Sequence, residues 1–291
     1  MPLPPLPMRP EALLLAALSL ALLALEALRP LRKRKRPRPR RWAVNAGLTA
    51  LAYACGMLVV RPAALGTAAW LEDRSLGLLA ALPLPFGGKF VLGFLLMDLT
   101  FYYWHRLNHT RGLLWRFHNV HHVDPDLDVT TSFRFHFGEV LYSTVFRVLQ
   151  VGLTGVAPLT YLAYELVFNA ATLFHHSNLG LPIAWERRLN LLLVTPRMHG
   201  IHHSAVGAET NSNYSVVFSF WDRLNRSLRL NVPQSQVIVG VPAYLLPRDN
   251  RLAALLAMPL AAQRPYWRWP SGKVSVRLQP PAHPQPALLA E

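Results

Sequence analysis

Residues 89–109 read KFVLGFLLMDLTFYYWHRLNH, an apolar stretch that runs straight into two histidines four residues apart. Residues 89–104 suit a membrane span, and Phe101, Tyr102, Tyr103 and Trp104 suit the aromatic belt at a membrane–water boundary. His105 and His109 therefore emerge at the end of a span. On a helix, positions i and i+4 share a face, so both imidazoles point the same way.

Further apolar stretches lie on both sides. Residues 12–28 (ALLLAALSLALLALEAL) form one, followed by the basic run of residues 32–41, RKRKRPRPRR. A helix of about 20 such residues crosses the hydrocarbon core, and the basic run marks the cytoplasmic side. That places the N-terminus outside. Residues 42–60 form a second span, returning outward, and a short polar patch around Glu72-Asp73-Arg74 comes after it. Residues 76–88 are broken by Pro83, Pro85, Gly87 and Gly88 and suit a re-entrant or interfacial piece. Residues 138–157 and 159–174, parted by Pro158, suit a hairpin that leaves the cytoplasmic face and returns, despite Glu139, Arg147 and Glu165. The predicted fold is all-α: a polytopic membrane helical bundle of about four to five spans with a cytoplasmic helical cap carrying the histidines. Its domains are 1–75 (N-terminal membrane helices with the polybasic linker 32–41), 76–231 (catalytic) and 232–291 (a partly irregular C-terminal tail).

Composition agrees. Of 291 residues 52% are hydrophobic and only 15% charged, with mean hydropathy +0.21, whereas a soluble domain carries about 25% charge. The single cysteine, Cys55, excludes an internal disulfide or a multi-cysteine metal site. The net charge of +15 invites a nucleic-acid reading, but eight of the cations sit in the run at 32–41, beside a membrane span. Topology and contact with anionic lipids explain them better. No phosphate loop, dinucleotide fingerprint, nucleophile elbow or HExxH is present. The Ala/Arg/Leu-rich, Lys-poor composition suggests a GC-rich bacterium, and hence its inner membrane.

The histidines carry the chemistry. Beyond His105 and His109, two boxes share the pattern HxxHH: His118, His121, His122 and His199, His202, His203. One such box arises by chance about 0.02 times in a chain of this composition. The i, i+3, i+4 spacing aims each box at one spot, and eight converging imidazoles exceed the needs of one metal. Two metal ions are expected, with Fe, Zn, Cu and Ni all compatible with imidazole. His136 and His176 are further candidates. His175 is expected to diverge from the site, and His283 to lie outside it. A paired metal centre beside lipid chains points to O2 activation and hydrogen abstraction from an unactivated C–H bond.

These motifs resemble the fatty acid hydroxylase / sterol desaturase superfamily of membrane di-iron oxygenases. The match runs over about residues 90–230: Asp98, Tyr103-Trp104-His105-Arg106 with His109, Trp115 with His118 and His121-His122, Pro196 with His199 and His202-His203, Asn213-Tyr214, and Trp221-Asp222-Arg223. The resemblance implies two iron ions, O2 and hydroxylation or desaturation of a lipid such as a sterol or fatty acyl chain. It implies the eight boxed histidines as ligands, with His176 as a ninth. Electrons would come from a separate reductase, ferredoxin or cytochrome b5-type partner. Asp98, Asn213 and Asp222 are candidates to hold the ligands from behind. Phe137, Ser215 and Asn225 depart from the usual pattern, and Thr110 stands where ether-cleaving relatives carry Glu. Two other readings are a non-oxygenase lipid enzyme of aldehyde-lyase type and a non-catalytic membrane metal-binding protein. The second is disfavoured because the boxes lie at helix ends rather than in broken helices at mid-bilayer.

Overall fold

The computed structural model describes residues 10–277; His283 and the end of the tail lie outside the described residues. Helices α1 (Pro10–Leu28) and α2 (Arg38–Cys55) flank the basic run. A π-helical turn, Gly56–Val60, joins α2 to α3 (Arg61–Asp73). The rod therefore passes beyond residue 60, where the sequence reading ended the second span. Two features explain the extension. Arg61 N–H bonds to Gly56 O, and this wider turn accommodates Pro62, which has no N–H to continue an α pattern. The Arg61 charge is paired with Glu11 at 3.0 Å and Glu165 at 3.2 Å.

The broken stretch after it folds as a short helix, α4 (Leu78–Ala81), between loops. Gly77 takes φ +101 there and lies against Gly155, the left-handed cap that ends the seventh helix; a Cβ on Gly77 would stand 2.5 Å from the Gly155 Cα. Helix α5 (Phe86–Thr110) has 25 residues and carries the first histidine pair without interruption. It is followed by α6 (Gly112–His122). The expected hairpin is α7 (Phe137–Thr154) and α8 (Pro158–His176). The remainder is short helices and loops: α9 (Ile183–Asn190), α10 (Pro196–His202), α11 (Gly207–Thr210), α12 (Phe220–Leu224) and α13 (Leu252–Ala257). The described residues contain helices and isolated bridges but no extended strand.

The stretches Pro10–Leu28 and Arg38–Ala81 are long and apolar enough to cross a membrane. On α7, Leu141, Val145, Leu149 and Leu153 form an exposed stripe at four-residue intervals, an apolar surface rare on water-facing helices. Ala64, Ala68, Met97, Val151 and Tyr164 knit α3, α5, α7 and α8 together. A second core joins Leu48 and Trp115 to Val241, Tyr244, Leu255 and Met258. The segment past residue 232 is thus irregular in path yet packed on α2 and α6.

The basic run is more than a surface feature. Arg41 turns inward and grips Asp124 (Nε to Oδ1, 2.6 Å) and Asp128, and donates to Thr131 Oγ1 at 2.8 Å. The backbone N–H groups of Lys35 and Arg36 each donate to the Asp126 carboxylate at 2.8 Å. Arg32 bonds to Gln234. The run straps α1 and α2 to the loop that follows the second histidine box; Lys33, Lys35 and Arg40 remain exposed.

Candidate metal centre

Helix α5 supplies His105 and His109, α6 supplies His118, His121 and His122, α8 supplies His176, and α10 with its cap supplies His199, His202 and His203. All nine are buried and fall into two groups. His105, His109, His118, His122 and His202 form one; His121, His176, His199 and His203 form the other. Within each group the ligand-capable atoms lie within 4.8 Å of one another.

Neither HxxHH box aims at a single spot. His118 and His122 enter the first group and His121 the second; His199 and His203 enter the second and His202 the first. Helical geometry explains this. Positions i and i+4 differ by about 40° around the axis, whereas i+3 lies about 60° to the other side. Each box therefore bridges both groups instead of aiming at one spot.

The ring nitrogens reveal what the groups can hold. Nδ1 of His105 donates to Tyr214 O at 2.7 Å, and Nδ1 of His202 to Ser212 O at 2.7 Å. His118 Nδ1 meets Glu139 Oε1 at 2.8 Å, and His176 Nδ1 donates to Thr172 O at 2.8 Å. A carbonyl or carboxylate oxygen only accepts, so in each neutral ring the proton sits on Nδ1 and Nε2 carries a lone pair. The Nε2 atoms then meet. His122 lies 3.2 Å from His118, and both His121 and His199 lie 3.0 Å from the one His176 Nε2. One lone pair cannot accept two strong hydrogen bonds. His202 Nε2 and both His109 nitrogens have no hydrogen-bond partner and are sealed from solvent. Converging, orphaned lone pairs fit a cation in each group.

Burial first, then the neighbouring imidazoles, keeps His121, His122, His199, His202 and His203 neutral. His202 is pulled down to about 3, and His121, His122, His199 and His203 well below the usual value. Neutral imidazole is the ligating form.

The remaining sequence candidates lie elsewhere. His136 belongs to neither group: its Nδ1 caps α7 by accepting from Gly138 N–H at 2.9 Å and its Nε2 donates to Leu256 O at 3.1 Å, so both nitrogens are spent. His175 is also outside the groups; its Nδ1 bonds to Val216 O at 3.2 Å while its ring packs on His199. Asp98, Asn213 and Asp222 do not touch the clustered rings directly. Asp98 accepts from Phe218 N–H at 3.1 Å and Trp221 Nε1 at 2.8 Å. Asp222 accepts from the amides of Tyr214 and Ser215, both at 2.9 Å. Asn213, at φ +54, donates to Met198 O and Arg229 O. Together they fix the loop whose carbonyls orient His105 and His202. Glu139, read from sequence only as a charge in an apolar helix, was missed as a partner of His118; an acid in the first turn of such a helix was the signal.

A cavity of about 240 Å³ opens onto the histidines. Phe101, Trp104, Phe135, Val140 and Phe168 line its walls together with His118, His121 and His176. Phe135 stacks on His121 at 4.4 Å and 9°. Tyr53, exposed on α2, also lines it.

The fatty acid hydroxylase family model matches residues 90–227. An ornithine lipid hydroxylase of Rhizobium tropici is 34% identical over 140 residues, 48% of this chain and 41% of that protein. An alkylglycerol monooxygenase of Xenopus tropicalis is 30% identical over 138 residues, 46% of this chain and 29% of its own length. The cholesterol 25-hydroxylase of Homo sapiens is 30% identical over 138 residues, 46% of this chain and 49% of its own. The chain spans less than half the length of each of these relatives. No solved structure matches it. With the histidine boxes in order inside it, the matched region, residues 90–227, is similar to the fatty acid hydroxylase family.

Proposed function

We propose that this protein is a membrane-bound, O2-dependent lipid oxidoreductase that hydroxylates or desaturates a lipid chain at a di-iron centre. The observation that carries the proposal is the convergence of nine buried imidazoles in two groups, with His105, His118, His121, His176 and His199 lining an apolar cavity. His105, His109, His118, His122 and His202 would hold one iron, and His121, His176, His199 and His203 the other. A pair of irons supplies O2 activation and hydrogen abstraction from an unactivated C–H bond.

The chain's own residues do the rest. Phe101, Trp104 and Phe168 exclude water and seat an apolar chain. Glu139 and the carbonyls of Thr172, Ser212 and Tyr214 hold Nδ1 protons, so that Nε2 of His118, His176, His202 and His105 stays free to ligate. The exposed stripe on α7 and the apolar surface of α1 would face lipid, with the histidine end toward the cytoplasm of a bacterial inner membrane. A ferredoxin-, reductase- or cytochrome b5-type donor would supply electrons.

The test is to purify the full chain, measure its iron content and incubate it with membrane lipids, a reducing system and ¹⁸O2. A lipid product carrying one labelled oxygen, or a new alkene formed only with O2, supports the reading. Turnover with iron present but independent of O2 would overturn it in favour of a lyase-type enzyme.

A further inference from the structure

A second cavity, of about 490 Å³, lies between the basic run, the loop after the second histidine box and residues 245–252. Its lining includes Arg36, Arg40, Arg41, Arg134 and Arg251, against a single carboxylate, Asp124. That carboxylate is already engaged: Arg41 grips both its oxygens, and Asn45 and Thr131 donate to it at 3.1 and 3.0 Å. Arg134 is the unusual member. It is 1% exposed, its Nη2 donates to Asn250 at 3.1 Å, and its Nη1 stands 3.9 Å from Asp124, beyond hydrogen-bond reach. Its Nε and Nη1 have no hydrogen-bond partner. Desolvation pulls this guanidinium down to about 10, the mark of a buried cation with too little compensating charge. A buried, under-paired guanidinium is costly unless something meets it.

We propose that this cavity is an anion-binding site for a phosphate group, with Arg134 at its floor and Arg40 and Arg251 at its rim. Guanidinium forks match phosphate oxygens bidentately, and several arginines around one cavity favour a group of charge near −1 to −2. The phosphate of a membrane lipid headgroup and free inorganic phosphate share that chemistry. Both the basic run and α2 border the site, so an occupant would also brace the strap that holds α1 and α2 to the histidine-bearing loop. The proposal is independent of the metal centre and of the reaction assigned to it.

The test follows thermal unfolding of the purified full chain in nonionic detergent. It is titrated separately with inorganic phosphate and with dihexanoyl phosphatidylglycerol, against chloride at equal ionic strength. A saturable rise in Tm above the chloride control with either probe is expected, with R40Q/R251Q shifting the midpoint concentration at least tenfold upward. Lys33→Gln, on the same run but outside the cavity, should behave as wild type. Protection by phosphate assigns the site to a free anion, and protection by the lipid alone assigns it to a headgroup. Arg134→Gln should abolish protection; where it does not fold, the double variant decides. No protection beyond chloride, or an equal loss in Lys33→Gln and the double variant, overturns the proposal.

Discussion

His176 and His121, 55 residues apart in sequence, face each other Nε2 to Nε2 at 3.0 Å. The His176 ring is held by its own helix, because Nδ1 donates to Thr172 O one turn back. Its Nε2 lone pair is therefore committed to the space it shares with His121, His199 and His203. Three elements, α6, α8 and α10, meet at that point, and His176 is the only one of the four that comes from α8.

Replacing His176 by Ala should empty one group and leave the other intact. The expected metal content falls from two ions per chain to about one, measured by plasma mass spectrometry on purified protein whose helicity is unchanged. His136→Ala should keep both ions, since both of its nitrogens are engaged with Gly138 and Leu256. Loss of metal from the His136 variant would contradict the division of roles.

Much of this was legible in the sequence because spacing on a helix is fixed. Histidines 105 and 109, and the two HxxHH boxes, had to emerge on ordered faces, and the apolar hairpin around Pro158 had to turn there. The 60° offset that sends His121 and His202 across to the opposite group is equally fixed but matters only once neighbouring helices stand on both sides. Partners distant in sequence were not legible. Nothing local links Arg41 to Asp124 and Asp128, or Glu139 to His118. Asp98 and Asp222 looked like direct partners of ligands, yet they act on the 212–221 loop, because whether a carboxylate reaches a ring or its supporting backbone is decided by tertiary packing. The continuation of the second span past residue 60 was not legible either, because the counter-charges of Arg61, Glu11 and Glu165, are distant in sequence.

Glu139 orients His118 from the first turn of α7, with Oε1 2.8 Å from Nδ1. Glu139→Ala would free the ring to rotate and remove its proton acceptor. Outer partners of this kind are worth about 10–100-fold in metal affinity. The expected result is a loss of that size in a chelator competition assay, with Glu139→Gln intermediate because its amide oxygen still accepts from Nδ1–H. A metal affinity unchanged in both variants would show that packing alone orients His118.

The Arg41 strap should carry a pH signature. Burial pushes the Asp128 carboxyl up, but the Arg41 guanidinium and the hydrogen bonds of Arg41, Thr130 and Trp42 outweigh it and hold the group below the usual carboxylate range. A folded pKa below the unfolded value of about 3.9 adds stability at neutral pH that is lost as pH falls through the folded value. Acid unfolding of wild type should therefore steepen below about pH 4, and Asp128→Asn should flatten that limb. Arg41→Met leaves Asp124 and Asp128 buried without their cation and should cost about 3–5 kcal/mol in denaturant unfolding at pH 7. An Arg41→Met variant as stable as wild type would mean that the strap is decorative.

The cavity wall offers the most direct link between shape and chemistry. Ser143 lines the apolar cavity from α7, one turn beyond Glu139 and next to Val140. Ser143→Phe adds roughly 80–100 Å³ of side chain to a space of about 240 Å³, a change that a close-packed wall cannot absorb. No histidine nitrogen depends on Ser143, so metal content should stay at the wild-type level. Lipid turnover should fall at least tenfold in kcat/KM for the longest chains and less for short ones, because the lost volume excludes only what must reach deepest. Equal turnover of all chain lengths in the variant would mean that the lipid approaches the histidines by another route, and the 240 Å³ cavity would then have no part in binding it.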